Sequence, residues 1–204
     1  MAKRAFDLFW SLLGLLALVP VLLMVALVVK LEDGGPVFFR QVRIGRGGRP
    51  FRIWKFRTMV LDAEHLGRAI TVGRDPRITR IGWHLRNSKL DELPQLLNVV
   101  AGEMSLVGPR PEVPRYVELY SAAQGAILAL RPGITDLASI KYRNESDLLA
   151  LAEDPDQTYV DAVMPDKIRI NLAYAAEAGV LSDFLVILAT LGIFPASRIG
   201  PKSP

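Results

Sequence analysis

Leu8 to Val29 form an apolar run of 22 residues without a charged side chain, long enough to span a bilayer. Pro20 lies inside the run, where proline removes a helical hydrogen bond and clashes with the preceding turn. The expectation is two helical arms: one from about Phe6 to Val19, roughly 20 Å long at the usual rise, and a shorter second arm. A re-entrant hairpin that enters and leaves by one leaflet and a proline-kinked spanning helix both satisfy this pattern. Further on, Val37 to Ile44 and Phe51 to Arg57 flank a glycine-rich turn at Gly45 to Gly48 and predict a β-hairpin. Leu90, Leu93, Leu96, Leu97 and Val100 recur at helical spacing. Helices are also predicted for Leu61 to Ile70, Tyr116 to Leu130 and Glu145 to Glu153, a turn at Gly73 to Arg77, and a strand or extended segment for Ile134 to Asn144. Pro165 and Gly179 bracket another helix, following the usual asymmetry of helix ends. The last helix, Ser182 to Phe194, is apolar on most sides with a narrow polar stripe at Asp183 and Thr190. It is too short to span, so it is either buried or lies in the headgroup plane. The fold class that results is α+β, mainly helical with a small β-hairpin, an N-terminal re-entrant membrane helix and amphipathic interfacial helices.

Charge refines the picture. With 25 Lys and Arg against 21 Asp and Glu, the chain suits a membrane surface, a nucleic acid or an anionic substrate. It has no cysteine, which excludes disulfides and thiolate metal sites and fits a reducing cytoplasm. His65 and His84 stand too far apart to suggest a metal pair. Lys3 and Arg4 precede the apolar run, and Lys30, Arg40, Arg43, Arg46, Arg49, Arg52, Lys55 and Arg57 follow it. The positive-inside tendency puts both flanks on the cytoplasmic side, which a hairpin allows. The basic residues of the β-hairpin recur about every third position and cannot share one strand face, so some are solvated or meet lipid headgroups, worth about 1 kcal/mol each. No linker, repeat or low-complexity tract appears. The division is therefore residues 1–34 as the membrane segment and 35–204 as one domain.

Candidate chemistry gathers between Arg86 and Pro111. Asp91 and Glu92 sit side by side where the Leu90 helix begins. Pro94 is tolerated in a first turn, which starts that helix near Asp91. Alternatively Ser88 caps it and Pro94 kinks it. In both placements Asp91 lies at the positive end of the dipole, where it is expected to stay ionised and to draw other anions close. Gly108-Pro109-Arg110-Pro111 restricts the backbone on both sides of Arg110 and pre-organises it for a fork-like contact with phosphate or a planar base. Taken alone, the acidic pair is equally well explained as solvated charges on a capped amphipathic helix.

Four ordered stretches carry more weight together. They are Lys55-Phe56-Arg57-Thr58-Met59, Leu90-Asp91-Glu92-Leu93-Pro94-Gln95-Leu96, Met104-Ser105-Leu106-Val107-Gly108-Pro109-Arg110-Pro111 and Arg131-Pro132-Gly133-Ile134-Thr135. In this combination the chain resembles the bacterial sugar transferase family, the monotopic polyprenol-phosphate phosphoglycosyl transferases, over nearly its whole length. The resemblance implies a re-entrant helix broken at proline and a site at the cytoplasmic face of the bacterial inner membrane. It implies that Asp91 attacks the β-phosphorus of a nucleoside diphosphate sugar, that Glu92 assists, and that polyprenol phosphate then accepts the phosphosugar. It also places Lys55 and Arg57 near the site, and Arg110 and Pro111 at the nucleobase. Departures follow Thr135, where Asp136 and Ser139-Ile140-Lys141-Tyr142 replace the commoner pattern. Arg143 keeps the family's arginine position, so phosphate contact is retained there while the sugar is undetermined.

A carboxylate approaching a diphosphate is repelled, and cations must offset this. Mg²⁺ on Asp91, with Arg86, Arg110 and Arg143 on phosphate oxygens, meets that need, and adjacent carboxylates alone make a weak, substrate-dependent metal site. Membrane lipid is the other expected partner, nucleic acid is not, and oligomeric state is open. Two competitors are a non-catalytic module that binds lipid or nucleic acid, and a soluble phosphatase with an aspartyl-phosphate. The first leaves Asp91, Glu92 and Arg110 without a task, and the second lacks a paired Asp-x-Asp and a doubly wound strand pattern.

Overall fold

The computed structural model describes residues 1–63, 66, 70–73 and 75–199. Its longest element, α1 (Ala2–Asp33), runs through Pro20 without ending, so the expected division into two arms does not occur. The residues that α1 turns inward are Asp7, Ser11, Gly14, Leu18, Val25 and Val29, which stay in helical phase across the proline. Packing on both sides of Pro20 offsets the lost backbone bond, a defect of about 3 kcal/mol in an unsupported helix. Pro20 itself is exposed. The outer face of α1 is apolar along its length, with Phe9, Leu12, Leu16, Leu23, Leu27 and Leu31 uncovered.

Both ends of α1 are tied to the same body. At the start, Lys3 donates to Val107 O (3.0 Å) and pairs with Asp183, and Arg4 donates to the carbonyls of Val99 and Val100. Buried Asp7 accepts from Ser105 Oγ (2.8 Å) and Leu106 N (3.1 Å). At the end, Glu32 accepts from Ile81 N (3.0 Å) and Asp33 pairs with Arg57.

The β-hairpin forms as its pattern requires. β1 (Phe38–Ile44) and β2 (Pro50–Phe56) are antiparallel, in register from Phe38 opposite Phe56 to Ile44 opposite Pro50. A turn at Arg46–Gly48 joins them, with Gly47 at φ 70°, a left-handed conformation that glycine adopts without strain. Then α2 (Arg80–Ser88) is capped by Thr79, whose Oγ1 accepts from Gly82 N, and it ends at left-handed Lys89. A 3₁₀ turn (Leu90–Gln95) leads directly into α3 (Leu96–Ala101). This settles the two placements of the acidic pair. The helix starts at Leu90, while Ser88 closes α2 by donating to the carbonyls of His84 and Leu85.

β3 (Ser105–Val107) pairs in parallel with β4 (Gly133–Thr135). Several segments differ from expectation here. Tyr116 to Leu130 is not one helix but α4 (Pro114–Val117) and a separate 3₁₀ turn (Gln124–Ala129). Ser121 and Gln124 exchange side-chain to backbone bonds between them and start the new turn. The extended reading of Ile134 to Asn144 holds only to Thr135, because Asp136 caps α5 (Leu137–Lys141) by accepting from Ser139 N at 2.8 Å. α6 (Glu145–Ala150) and α7 (Pro155–Thr158) follow, and a wide π turn leads into α8 (Met164–Glu177). Gly179 then caps α9 (Val180–Thr190).

The polar stripe of α9 faces inward. Asp183 is buried, accepting from Tyr174 Oη (2.7 Å) beside Lys3, and Thr190 bonds Thr135 at 2.6 Å. Val180, Leu181 and Phe184, with Leu191 and Ile193 just beyond the helix, are exposed apolar side chains. Trp10 of α1 meets Phe184 of α9 at 6.3 Å between ring centroids, so the two apolar outer faces adjoin. The helix expected at Leu61 to Ile70, His65 and the centre of the Gly73 to Arg77 turn fall wholly or partly outside the described residues.

Candidate active site

Asp91 and Glu92 are consecutive in a 3₁₀ turn, so their side chains diverge and meet different surroundings. Glu92 accepts from Lys55 Nζ (2.9 Å), from Arg110 Nη1 (3.1 Å) and from Arg110 Nη2. Burial alone would raise its pKa, but Arg110 and Lys55 reverse that and hold it well below the ordinary glutamate value. Asp91 is only 5% exposed, and its Oδ1 has no hydrogen-bond partner among the described residues. Burial pushes its pKa up, with Glu92 adding to the rise and Lys55, Arg86 and Arg110 opposing it. Burial thus works against the helix terminus that was expected to keep Asp91 ionised. Two adjacent carboxylates have been driven apart, one fixed as an anion and one left uncommitted.

Each cation is held by a different stretch of sequence. Lys55 comes from β2, whose edge is completed by buried Asn98: its Oδ1 accepts from Trp54 N (2.9 Å) and its Nδ2 donates to Arg52 O (3.0 Å). Arg86 of α2 donates from Nε to Thr58 Oγ1 (2.9 Å) and from Nη1 to Thr71 Oγ1 (3.0 Å). Here Gly82 is required, because a Cβ would lie 2.0 Å from Thr58 O. Arg110 is carried by a loop clamped on both sides. Gly133 N donates to Pro109 O and Gly108 N to Thr135 O, each at 3.0 Å, and Arg43 Nη1 donates to Pro111 O at 3.0 Å. Pro111 is buried within that clamp. A Cβ on Gly133 would sit 2.1 Å from Gly108 N. The four sequence stretches are therefore walls of one cage.

Two predicted residues lie elsewhere. Arg57 is buried against the end of α1, donating from Nη1 to Asp33 (2.6 Å) and from Nε to Pro36 O (2.6 Å). Its hydrogen bonds lower the Asp33 carboxyl to about 2. β2 ends at Phe56, so the alternation that aims Lys55 at Glu92 no longer governs Arg57. Arg143 is exposed and donates to Thr190 O (2.9 Å), because the helical turn of α5 replaces the extended segment expected before it. Conversely, Arg43 and Asn98 support the site and were not singled out as such. Asn98 carried a signal, a lone amide among Leu96, Leu97, Val99 and Val100, whereas Arg43 is indistinguishable in sequence from its solvated neighbours.

No group of three or more His, Asp or Glu that could hold a metal occurs among the described residues. Glu92 is committed to cations, so among the described residues a divalent ion would find one uncommitted protein group here, the Asp91 carboxylate. That donor set fits Mg²⁺ only if substrate phosphate and water complete the shell.

The site is an anion-binding centre with one uncommitted carboxylate, built on a body with an apolar side. The chain belongs to the bacterial sugar transferase family, which it matches over residues 1–196. It is similar to the UDP-glucose:undecaprenyl-phosphate glucose-1-phosphate transferase of Escherichia coli (strain K12), 39% identical over 194 residues, covering 93% of this chain and 39% of that protein. It therefore spans about two fifths of that relative. Coverage is fuller for the exopolysaccharide production protein ExoY of Rhizobium meliloti (strain 1021), 44% identical over 213 residues, 97% of this chain and 87% of that one. The exopolysaccharide production protein PSS of Rhizobium leguminosarum bv. phaseoli is 40% identical over 205 residues, 93% and 92%.

Proposed function

We propose that the chain transfers a phosphosugar from a UDP-sugar to polyprenol phosphate through a covalent intermediate on Asp91. The observation that carries this reading is the split of the acidic pair. Glu92 draws Lys55 and Arg110 into place, while Asp91 keeps an oxygen without a partner. In the first step an Asp91 oxygen attacks the β-phosphorus, the bond to the bridging oxygen breaks, and UMP leaves. In the second, a phosphate oxygen of the polyprenol attacks the same phosphorus, the bond to Asp91 breaks, and the carboxylate is restored. No net proton transfer is needed. Lys55, Arg86 and Arg110 offset the negative charge that gathers at the phosphorus. Asp91 is the residue that would hold Mg²⁺, which when bound supplies further charge neutralisation at the diphosphate.

The apolar outer faces of α1 and α9 embed in one leaflet at the cytoplasmic face of the inner membrane. Support comes from both ends of α1 being bonded to one body and from the exposed Leu181, Phe184 and Leu191. A long isoprenoid then remains in lipid while its phosphate reaches the cage at headgroup depth. Exopolysaccharide assembly is the process in which such a transfer belongs, on the names of the relatives.

The test is single turnover without acceptor lipid. The expected result is one equivalent of UMP released per chain and a phosphosugar mass on the peptide that contains Asp91, both lost in Asp91→Asn. Turnover by Asp91→Asn, or UMP release only when acceptor is present, overturns the two-step reading.

A further inference from the structure

The turn that carries Asp91 and Glu92 also carries a third polar side chain, Gln95. Four buried side-chain atoms lack a hydrogen-bond partner among the described residues: Ser11 Oγ, Arg43 Nε, Asp91 Oδ1 and Gln95 Nε2. The last two, one acceptor and one donor, lie on the same face of one turn, where Asp91, Pro94 and Gln95 are the buried residues and Leu90, Glu92 and Leu93 are half-buried. Gln95 is only 1% exposed. A buried amide hydrogen without an acceptor and a buried carboxylate oxygen without a donor each carry a desolvation penalty that pairing removes. Side chains four apart on a helical turn are neighbours, and glutamine with aspartate is one of the pairs that bond at that spacing. The other two atoms offer no such match, since Ser11 belongs to α1 and the Arg43 guanidinium is held against Pro111 O. The cations near Asp91 are already engaged, Lys55 and Arg110 with Glu92, and Arg86 with Thr58 and Thr71.

We propose that Gln95 is a positioning residue for the transfer: its Nε2 donates to Asp91 Oδ1 when the sugar nucleotide is bound, which fixes the plane of the carboxylate and leaves Oδ2 to attack. The inference rests on the reading of Asp91 as nucleophile and adds to it the group that aims the attacking oxygen. In the first step Oδ2 forms its bond to the β-phosphorus, the bond to the bridging oxygen breaks, and UMP leaves with that electron pair. Oδ1 becomes the carbonyl oxygen of the acyl phosphate and still faces the amide. In the second step a phosphate oxygen of the acceptor attacks, the bond from phosphorus to Oδ2 breaks, and its electron pair returns to the carboxylate, where the Gln95 N–H stabilises the share of charge that falls on Oδ1. One donor on the oxygen that does not attack therefore serves both halves of the reaction. Without it the carboxylate is free to turn, and the near-attack placement of Oδ2 is lost. The empty site leaves both groups unpaired, a penalty of the kind that functional sites carry and that pairing with substrate present recovers.

The experiment is rapid-quench single turnover of the full chain in detergent without acceptor lipid, together with steady-state kinetics and the melting temperature of the empty chain. The donor is whichever of UDP-glucose, UDP-galactose and UDP-N-acetylgalactosamine gives the fastest wild-type release of UMP. Gln95→Met keeps the length and volume of the side chain and removes the amide. It is expected to slow UMP release about ten- to a hundredfold, to leave KM for the donor within about twofold, and to melt at the wild-type temperature or above it, because an unpaired amide has given way to an apolar group. A side chain that merely holds the fold predicts the reverse, a lower melting temperature with unchanged UMP release per folded chain, and that result overturns the proposal. So does wild-type UMP release by Gln95→Met at any melting temperature. Gln95→Glu keeps the shape but sets an oxygen where the donor was, and it is expected to slow the release at least as much. If Gln95→Met does not fold, wild-type release by Gln95→Glu is the refuting result. Absence of UMP release from the wild type with all three donors sinks the two-step reading itself, whereas normal wild-type release with unaffected variants sinks only the role given to Gln95.

Discussion

Glu92→Gln isolates the part of the site that separates its two carboxylates. The amide keeps the shape and can keep some hydrogen bonds, but it removes the charge that Lys55 and Arg110 face. The side chains of Lys55 and Glu92 are 16% and 13% exposed, so this is a largely buried pair, for which neutralising one partner costs about 3–5 kcal/mol. Arg110 is 35% exposed and recovers some hydration, and Asp91 lies close enough to take up part of the freed charge. A cost at or just below the bottom of that range, about 2–3 kcal/mol, is therefore expected. On a chain this size that moves the urea midpoint by roughly 1 M. The pH dependence has a definite sign. Glu92 has a depressed pKa in the fold, so its contribution is complete above the ordinary glutamate range and disappears only as pH falls through the depressed value. The gap between wild type and variant should persist at about pH 5. The freed cations also turn toward Asp91 and lower its raised pKa, which shifts the acid limb of the rate profile to lower pH while kcat falls because the nucleophile is now ion-paired. Urea unfolding followed by the fluorescence of Trp54, beside Lys55, and a pH profile of kcat/KM read the two effects. A variant that unfolds at the wild-type urea concentration with an unmoved acid limb would refute the electrostatic account.

Asp91 has the opposite linkage. Its pKa is raised, so its charge opposes folding at high pH, and Asp91→Asn should melt higher at pH 8, by about 2–4 °C for each kcal/mol recovered. The gain should vanish in acid, where both side chains are neutral, and a lower melting point at pH 8 counts against the burial argument. Gly133→Ala drives a Cβ into Gly108 and should displace the loop that carries Arg110, with about 3 kcal/mol of destabilisation and a loss of transfer larger than its loss of folded protein, measured at equal folded concentration. Because the chain has no cysteine, Ala2→Cys and Lys30→Cys report the sidedness of α1. A membrane-impermeant maleimide should label both in inverted vesicles and neither in right-side-out ones, and labelling from opposite sides would show a spanning helix.

Local chemistry made some of this legible in the sequence and long-range contact hid the rest. The β-hairpin could be read because alternation and a glycine turn are both local. So could the start of the acidic helix, since Pro94 restricts where a helix can begin. Pro20 misled because a proline's effect depends on what packs to either side, and those partners, α3 before it and Phe56 and Leu85 after it, are distant in sequence. The stripe of Asp183 and Thr190 was seen, but which way it faces was not legible. Its partners are Lys3, Tyr174 and Thr135, and two of those three are far away along the chain. In the site, the residues themselves pointed to Asp91, Glu92, Arg86 and Arg110 and the resemblance added Lys55, while Arg57 and Arg143, also drawn from the resemblance, lie apart from that cluster.

The charge balance of the cage explains why its parts must coincide. Lys55, Arg86 and Arg110 contribute three positive charges, and Asp91 and Glu92 two negative ones, a balance of +1 with both acids ionised. A site with that balance and little water favours an arriving anion, yet a diphosphate bearing about two negative charges would overshoot to −1. An additional divalent cation brought with the substrate returns the sum to +1, whereas the same ion arriving alone would raise it to +3. The cage therefore accepts metal and diphosphate together and resists the metal alone, the behaviour expected when a single carboxylate is the uncommitted protein ligand among the described residues.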